Sequence, residues 1–179
     1  MAITSEELKK KVEGREPIGD TDLVGGDYTE IELPGVDLSG VDLTRSNFTG
    51  AILVGANLAN CELTEAVFVE ANLTDSDFTD VEAEGIDLTN AVLDGAVLSR
   101  SSITNATLAG ASLVDADLTD CEFTDSDVSV TSLNGTEMGG ADFTNANLTG
   151  SDFTDANISD AVFDEAVMDG VVGYEPSDA

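Results

Sequence analysis

The sequence predicts an all-β chain: a four-sided parallel β-helix of about 7.5 coils with a short N-terminal capping helix. Three observations predict it. An apolar residue, nearly always large, recurs at every fifth position, a small residue usually stands two places before it, and the position two places after it is mostly a turn former. Strands repeat about every 2 residues and helices about every 3.6, so neither explains a period of five.

The apolar phase is unbroken from Leu23 through Tyr28, Leu33, Leu38 and Leu43 to Phe153, Ile158, Phe163 and Met168, thirty positions in all. The small partner reads Ala51, Ala56, Cys61, Ala66, Ala71 and Ser76, and later Ala106, Ala111, Ala116, Cys121 and Ser126. Two inward positions per five fit a chain that turns a corner every five residues, with Gly, Asp or Asn easing each turn. Four corners close a coil of 20 residues, and coils stack edge to edge at about 4.8 Å, giving a rod roughly 36 Å long. One coil cannot bury its own apolar side. Stacking creates the core, to which each large side chain contributes roughly 1.5–3 kcal/mol. Low-complexity disorder would not hold this phase. Hexapeptide coils, leucine-rich repeats and calcium-binding nonapeptides have other periods.

The expected divisions are a helix and cap over residues 1–20, the β-helix over 21–170 and a tail over 171–179. Thr4 with Glu7 three places on forms a capping box, and Ile3 and Leu8 are placed as its hydrophobic staple. Gly14 should end the helix, and Leu8 and Val12 share the face that covers the first coil. Pro17 and Pro34 suggest an irregular start, because proline cannot donate to a ladder. At the other end Val171, Val172 and Tyr174 either fold over the last coil or, with Phe163 and Met168, meet a second copy end to end.

Charge bounds function. There are 37 acidic against 6 basic side chains, a net charge of −31, and four of the six cations, Lys9, Lys10, Lys11 and Arg15, lie in the first 15 residues. Such a body repels phosphate and anionic membranes, so direct nucleic-acid or membrane binding is not expected. No apolar run is long enough to span a membrane, and MAITSEELKKKVEG has no apolar signal-peptide region, which makes a cytoplasmic protein the expectation. Few lysines, abundant acids and a large net charge also suit solubility at high salt, a halophilic surface.

No catalytic, cofactor or metal residue is predicted. Histidine is absent, and the Ser and Thr that follow each apolar centre recur too regularly to be nucleophiles; corner hydrogen bonding explains them. Cys61 and Cys121 fall three coils apart on one side, about 14 Å by ladder spacing, too far for a disulfide. Two buried free thiols are expected. Close acid pairs such as Glu62/Glu65 and Asp152/Asp155 arise by chance among so many carboxylates. The acids are uneven, however. The side of Leu23 carries 11, against 6, 6 and 7 on the sides of Tyr28, Leu33 and Leu38. Its Glu62, Glu65, Glu82, Glu84, Glu122, Asp125 and Asp142 form the candidate partner-binding surface. Some outward positions are apolar: Ile52, Val54, Val92 and Val114 on the Leu33 side, Val67 and Val69 on the Tyr28 side. They read as ordinary strand residues or as a partner patch.

The segments "ADLTD" (116–120), "ANLTG" (146–150), "ANLTD" (71–75) and "ADFTN" (141–145) resemble the A-[DN]-L-X-X motif of the pentapeptide-repeat family, and the resemblance covers about residues 21–170. It implies that the coil is right-handed. It also implies a non-enzymatic interaction or structural rod of unassigned partner. The alternative it offers is a DNA mimic that binds and protects DNA gyrase or topoisomerase IV. Members of that subset dimerise through their C-terminal coils, which supports a homodimer here.

Overall fold

Residues 2–19 and 21–174 are described in this computed structural model. From Gly25 to Gly170 every fifth residue has a left-handed backbone, with φ between +54° and +73°. Twelve of these thirty corner residues are glycine; the others are mostly Asp and Asn, but Glu30, Arg45, Arg100 and Val130 take the same conformation. Leu33–Pro34–Gly35–Val36 shows the corner plainly. Val36 N–H donates to Leu33 O at 3.3 Å and Gly35 has φ +67°, the pattern of a type II turn. Pro34 is therefore not an irregularity. It takes the second turn position, where its fixed φ fits and no ladder donor is needed.

A full accounting of backbone donors explains the five-residue motif. Asn47 N–H reaches back to Gly26 O at 2.9 Å, while Phe48 and Gly50 N–H reach forward to Val67 and Val69 O at 2.7 and 2.8 Å. Ala51 N–H closes the corner on Phe48 O at 3.0 Å. The fifth donor, Thr49 N–H, is taken by Asn47 Oδ1 at 3.0 Å, and the Thr49 hydroxyl donates to the same oxygen at 2.7 Å. Where Asp or Asn precedes the centre and Thr or Ser follows it, as at Asp27/Thr29, Asn72/Thr74 and Asp142/Thr144, the pair is thus one hydrogen-bonded unit. The parallel bridges, each joining residues 20 apart, run from Asp27↔Asn47 to Asp152↔Val172.

The centres and their small partners fill the tube. Tyr28, Phe48 and Phe68 stack with ring centroids 4.9 and 5.0 Å apart, and Phe123, Phe143 and Phe163 at 5.0 and 5.4 Å, close to the ladder repeat itself. Where a hydroxyl replaces the small alanine it finds a carbonyl. Ser46 Oγ donates to Leu43 O at 2.6 Å, and Ser101 Oγ to Phe78 O at 2.6 Å. Ser101 and Ser126 also accept the Val81 and Ala106 N–H groups, at 3.1 and 3.0 Å, where the corner bond is not made.

Helix α1, Ser5–Glu13, covers the first coil with Leu8 fully buried, and the capping box between Thr4 and Glu7 is complete. Ile3 N–H donates to Asp22 O at 3.0 Å, the Tyr28 hydroxyl to Ile3 O at 3.1 Å, and Ser5 Oγ to Asp27 O at 2.7 Å. The Tyr28 ring occupies the space a side chain on Gly26 would need. Gly14 ends the helix as expected, but the left-handed residue is Arg15, at φ +53°. Arg15 N–H bonds Val12 O and Glu16 N–H bonds Lys11 O, a Schellman closure with Pro17 just beyond. At the far end, pairing continues past 170 to Val172, and the Tyr174 ring meets Phe153 and Phe163 edge-on at 6.2 and 5.4 Å. The rest of the expected tail lies outside the described residues.

Candidate functional site

The ladder places the predicted acids on one side of the rod. Asp42, Glu62, Glu82, Ser102, Glu122 and Asp142 occupy successive outward positions of a single column, each bridged to the next. Glu65 and Asp125 stand on the adjoining corner column, both with left-handed backbones, and Glu84 lies in the step between column and corner. Adjacent carboxylates in the column are one ladder step apart, about 4.8 Å, where two unit charges repel by roughly 1 kcal/mol in water. The stack is tolerable because these side chains are wet, and it favours any cation that settles against it.

Not every candidate is equally free. Arg45 Nε donates to Glu65 Oε2 at 2.6 Å across one coil, Glu122 accepts from the Ser102 hydroxyl at 3.2 Å, and Asp142 accepts both the Thr144 N–H at 2.8 Å and its hydroxyl at 2.6 Å. Glu62 and Glu82 make none of these bonds.

Sequence reasoning missed the corner beside this side. Arg100 Nε and Nη2 grip both oxygens of Asp80 at 2.9 Å, and Asp120 stands one coil further along the same corner. The hydrogen bonds from Arg100 hold the Asp80 carboxyl below its ordinary range. Between this corner and the acidic column runs a shallow groove of about 450 Å³, lined by Asp80, Glu82, Arg100, Ser102, Asp120 and Glu122. The signal was present as Asp–Arg–Asp at 80, 100 and 120, one coil apart.

Elsewhere the polar groups are structural. The Thr29 hydroxyl and N–H hold Asp27 below its usual pKa, and Thr154 and Asn134 do the same for Asp152. Cys61 and Cys121 are buried free thiols donating to Leu38 O and Leu98 O at 3.0 and 2.6 Å; burial pushes them to about 11 and about 12. Among the described residues no three His, Cys, Asp or Glu side chains are grouped to hold a metal ion. Among the same residues no helix is long and apolar enough to cross a membrane.

Two family descriptions match the chain: Pentapeptide repeats (8 copies) at residues 20–50, 29–58, 42–80 and 51–90, and Pentapeptide repeat region at residues 96–171. Among curated proteins none matches the sequence significantly. Among solved structures, two trypsin-treated forms of QnrB1, a plasmid-mediated fluoroquinolone resistance protein, superimpose with TM-scores of 0.73 and 0.72 at 20% and 21% identity. The matches cover 84% and 83% of this chain and 83% and 84% of those chains. HetL, a pentapeptide repeat protein involved in heterocyst differentiation regulation from the cyanobacterium Nostoc sp. strain PCC 7120, matches at TM-score 0.47 and 21% identity over 97% of this chain and 93% of its own. The QnrB1 likeness identifies the fold as the right-handed quadrilateral β-helix.

Proposed function

Because the chain belongs to the pentapeptide-repeat family, we propose that it is a non-enzymatic interaction rod whose acidic side receives a basic protein surface. The observation that carries this reading is the column Asp42, Glu62, Glu82, Glu122 and Asp142, interrupted once by Ser102 and held in register by the ladder. A rigid row of like charges gains little from the rod's own few cations. It gains much from a partner that brings its own, and it steers that partner from a distance.

The test replaces Glu62, Glu82 and Glu122 by Gln and Asp142 by Asn. Both rods are then used for affinity capture at the native salt concentration. Proteins retained by the native rod and lost from the neutralised one are the expected partners. Equal retention on both would remove this side from the function.

A second reading is favoured by the alignment of these carboxylates in one column, one coil apart except across Ser102. In it the carboxylates stand in for nucleic-acid phosphates, and the partner is a type II topoisomerase, DNA gyrase or topoisomerase IV. A supercoiling assay with and without a quinolone separates the two readings. Inhibition or protection by the native rod, reduced in the neutralised one, supports the mimic; no effect leaves the general interaction rod. We place the protein in the cytoplasm.

The C-terminal end suits a second copy. Ile158, Phe163, Met168 and Val171 are only partly covered there, and among the described residues the N–H groups of Ile158, Phe163 and Met168 make no hydrogen bond. With Val172 and Tyr174 they would form an end-to-end contact.

A further inference from the structure

At the N-terminal end of the rod one strand edge has no neighbour. On the Leu38 side, Asn57 N–H donates back to Val36 O at 2.8 Å, and Leu38 and Gly40 N–H donate to Asn57 and Ala59 O at 2.8 and 2.9 Å. One coil earlier the matching groups are the Asp37 N–H and the Asp37 and Ser39 carbonyls, and among the described residues they make no hydrogen bond. Residues 16–19 stand in the register of a preceding coil, with Ile18 twenty places before Leu38 and buried. They do not pair, however: no hydrogen bond joins them to residues 35–41. Between the two runs lies a cleft of about 530 Å³ with Val12, Pro17, Ile18, Val36 and Val41 in its walls. Asp37 and Ser39 line it too, so the free edge opens into it. Arg15 is its one cation. Among the described residues Lys10, Lys11, Arg45 and Arg100 each have a carboxylate partner, and Arg15 has none.

We propose that this cleft receives an extended segment of another polypeptide, which adds a strand to the Asp37 edge, sets an apolar side chain into the hollow and gives a carboxylate to Arg15. Three features select that occupant. The first is the edge itself. A row of unpaired N–H and C=O groups is a template for backbone pairing, and an extended chain supplies donors and acceptors at the matching spacing. The Asp37 side chain does not compete for them, because its Oδ1 already accepts the Ser39 N–H at 3.1 Å and the Ser39 hydroxyl at 2.8 Å. The second is the hollow, whose apolar walls gain from covering a side chain of the added strand. The third is charge. Glu16 lies 3.6 Å from Lys11 Nζ, so Arg15 is left for an incoming anion, and a guanidinium holds a carboxylate with two parallel hydrogen bonds. The left-handed backbone of Arg15, at φ +53°, fixes where that side chain leaves the end of α1. The rest of the rod repels acidic bodies, so the occupant carries one well-placed carboxylate and is not strongly acidic. This binding mode does not rest on the acidic column.

The test selects short random peptides displayed on phage against the full chain at the native salt concentration. The best is synthesised and titrated by fluorescence anisotropy. It should contain an acidic residue, and its binding should weaken about tenfold or more with Arg15→Gln and return in part with Arg15→Lys. Gly19 also lines the cleft, and a side chain there would meet nothing within 4 Å, so Gly19→Phe crowds the cleft without displacing the fold and should weaken binding too. In the native chain the peptide should slow hydrogen exchange at the Asp37 amide by about tenfold or more and leave the paired Asn57 amide unchanged. The rod with Glu62, Glu82, Glu122 and Asp142 neutralised should bind the peptide as the native rod does. Three results overturn the inference: no selected peptide that binds the chain in solution, an affinity indifferent to Arg15→Gln, or a bound peptide that leaves Asp37 exchange unaltered. A peptide kept by Arg15→Gln and lost from the neutralised rod belongs to the acidic column; it overturns this inference and leaves the interaction rod standing.

Discussion

At Val130 the backbone and the side chain want different things. A left-handed conformation costs an ordinary L-residue roughly 1–2 kcal/mol, and a side chain this exposed recovers little of that by burial. Val130→Asn should therefore stabilise the monomer by about 1 kcal/mol, a rise in Tm of roughly 2–4 °C in thermal melts. An unchanged or lower Tm would mean the corner is not strained. Inward positions behave oppositely. Ala146 is fully buried and Thr149, three residues on, is exposed. Ala146→Leu should cost roughly 1–3 kcal/mol by overpacking. Thr149→Leu loses one side-chain hydrogen bond, to Asn147 Oδ1, and should cost about 1 kcal/mol or less in chemical denaturation. The buried thiols add a pH dependence. Their folded pKa values, about 11 and about 12, lie above that of a free thiol. The stability this contributes is complete below about pH 8.5 and is lost as pH rises through the folded values. Cys61 and Cys121 should accordingly resist iodoacetamide at pH 8 in the native state; rapid labelling would contradict their placement.

At the scale of elements, each coil touches only its neighbours, so damage should stay local. Leu8 of α1 is the apolar plug over the first coil. Leu8→Ala should cost roughly 2–5 kcal/mol of local stability. Hydrogen exchange should then quicken in the coil beginning at Asp22 and remain slow around Phe123 and Phe143. A uniform loss of protection would instead show that the rod unfolds as one unit. How much of this was legible follows from where each signal lies along the chain. The apolar phase and the capping box are local, and the sequence displayed both. Pro34 misled because proline is usually excluded from ladders, whereas here it sits at the corner, outside the three donors that pair coils. Arg15 closes the helix from a conformation that composition assigns to glycine. The seven candidate acids could be assigned to one side by counting in twenties. Arg100 between Asp80 and Asp120 is a relation between coils, and it emerges only once the corners are closed.

At the scale of the molecule, −31 charges sit on a thin rod, and the described ion pairs that relieve them, such as Arg45–Glu65 and Arg100–Asp80, are exposed and contribute little. Unfolding spreads these charges over a larger volume, so self-repulsion favours the unfolded chain and weakens as salt shortens its range from about 10 Å at 0.1 M to about 3 Å at 1 M. Tm should rise continuously with KCl over that interval. Ion pairing would give the opposite sign, since salt weakens attraction as it weakens repulsion. The slope should be smaller in the rod with Glu62, Glu82, Glu122 and Asp142 neutralised, because that variant removes the closest-spaced repulsions. The same variant should be more stable than the native protein in low salt and nearly equal to it in high salt. A melting temperature that ignores KCl, or a neutralised rod with an undiminished slope, would place the destabilising repulsion somewhere other than this column. The acids there would then have to be explained by what they bind, since they would not be a cost the fold carries.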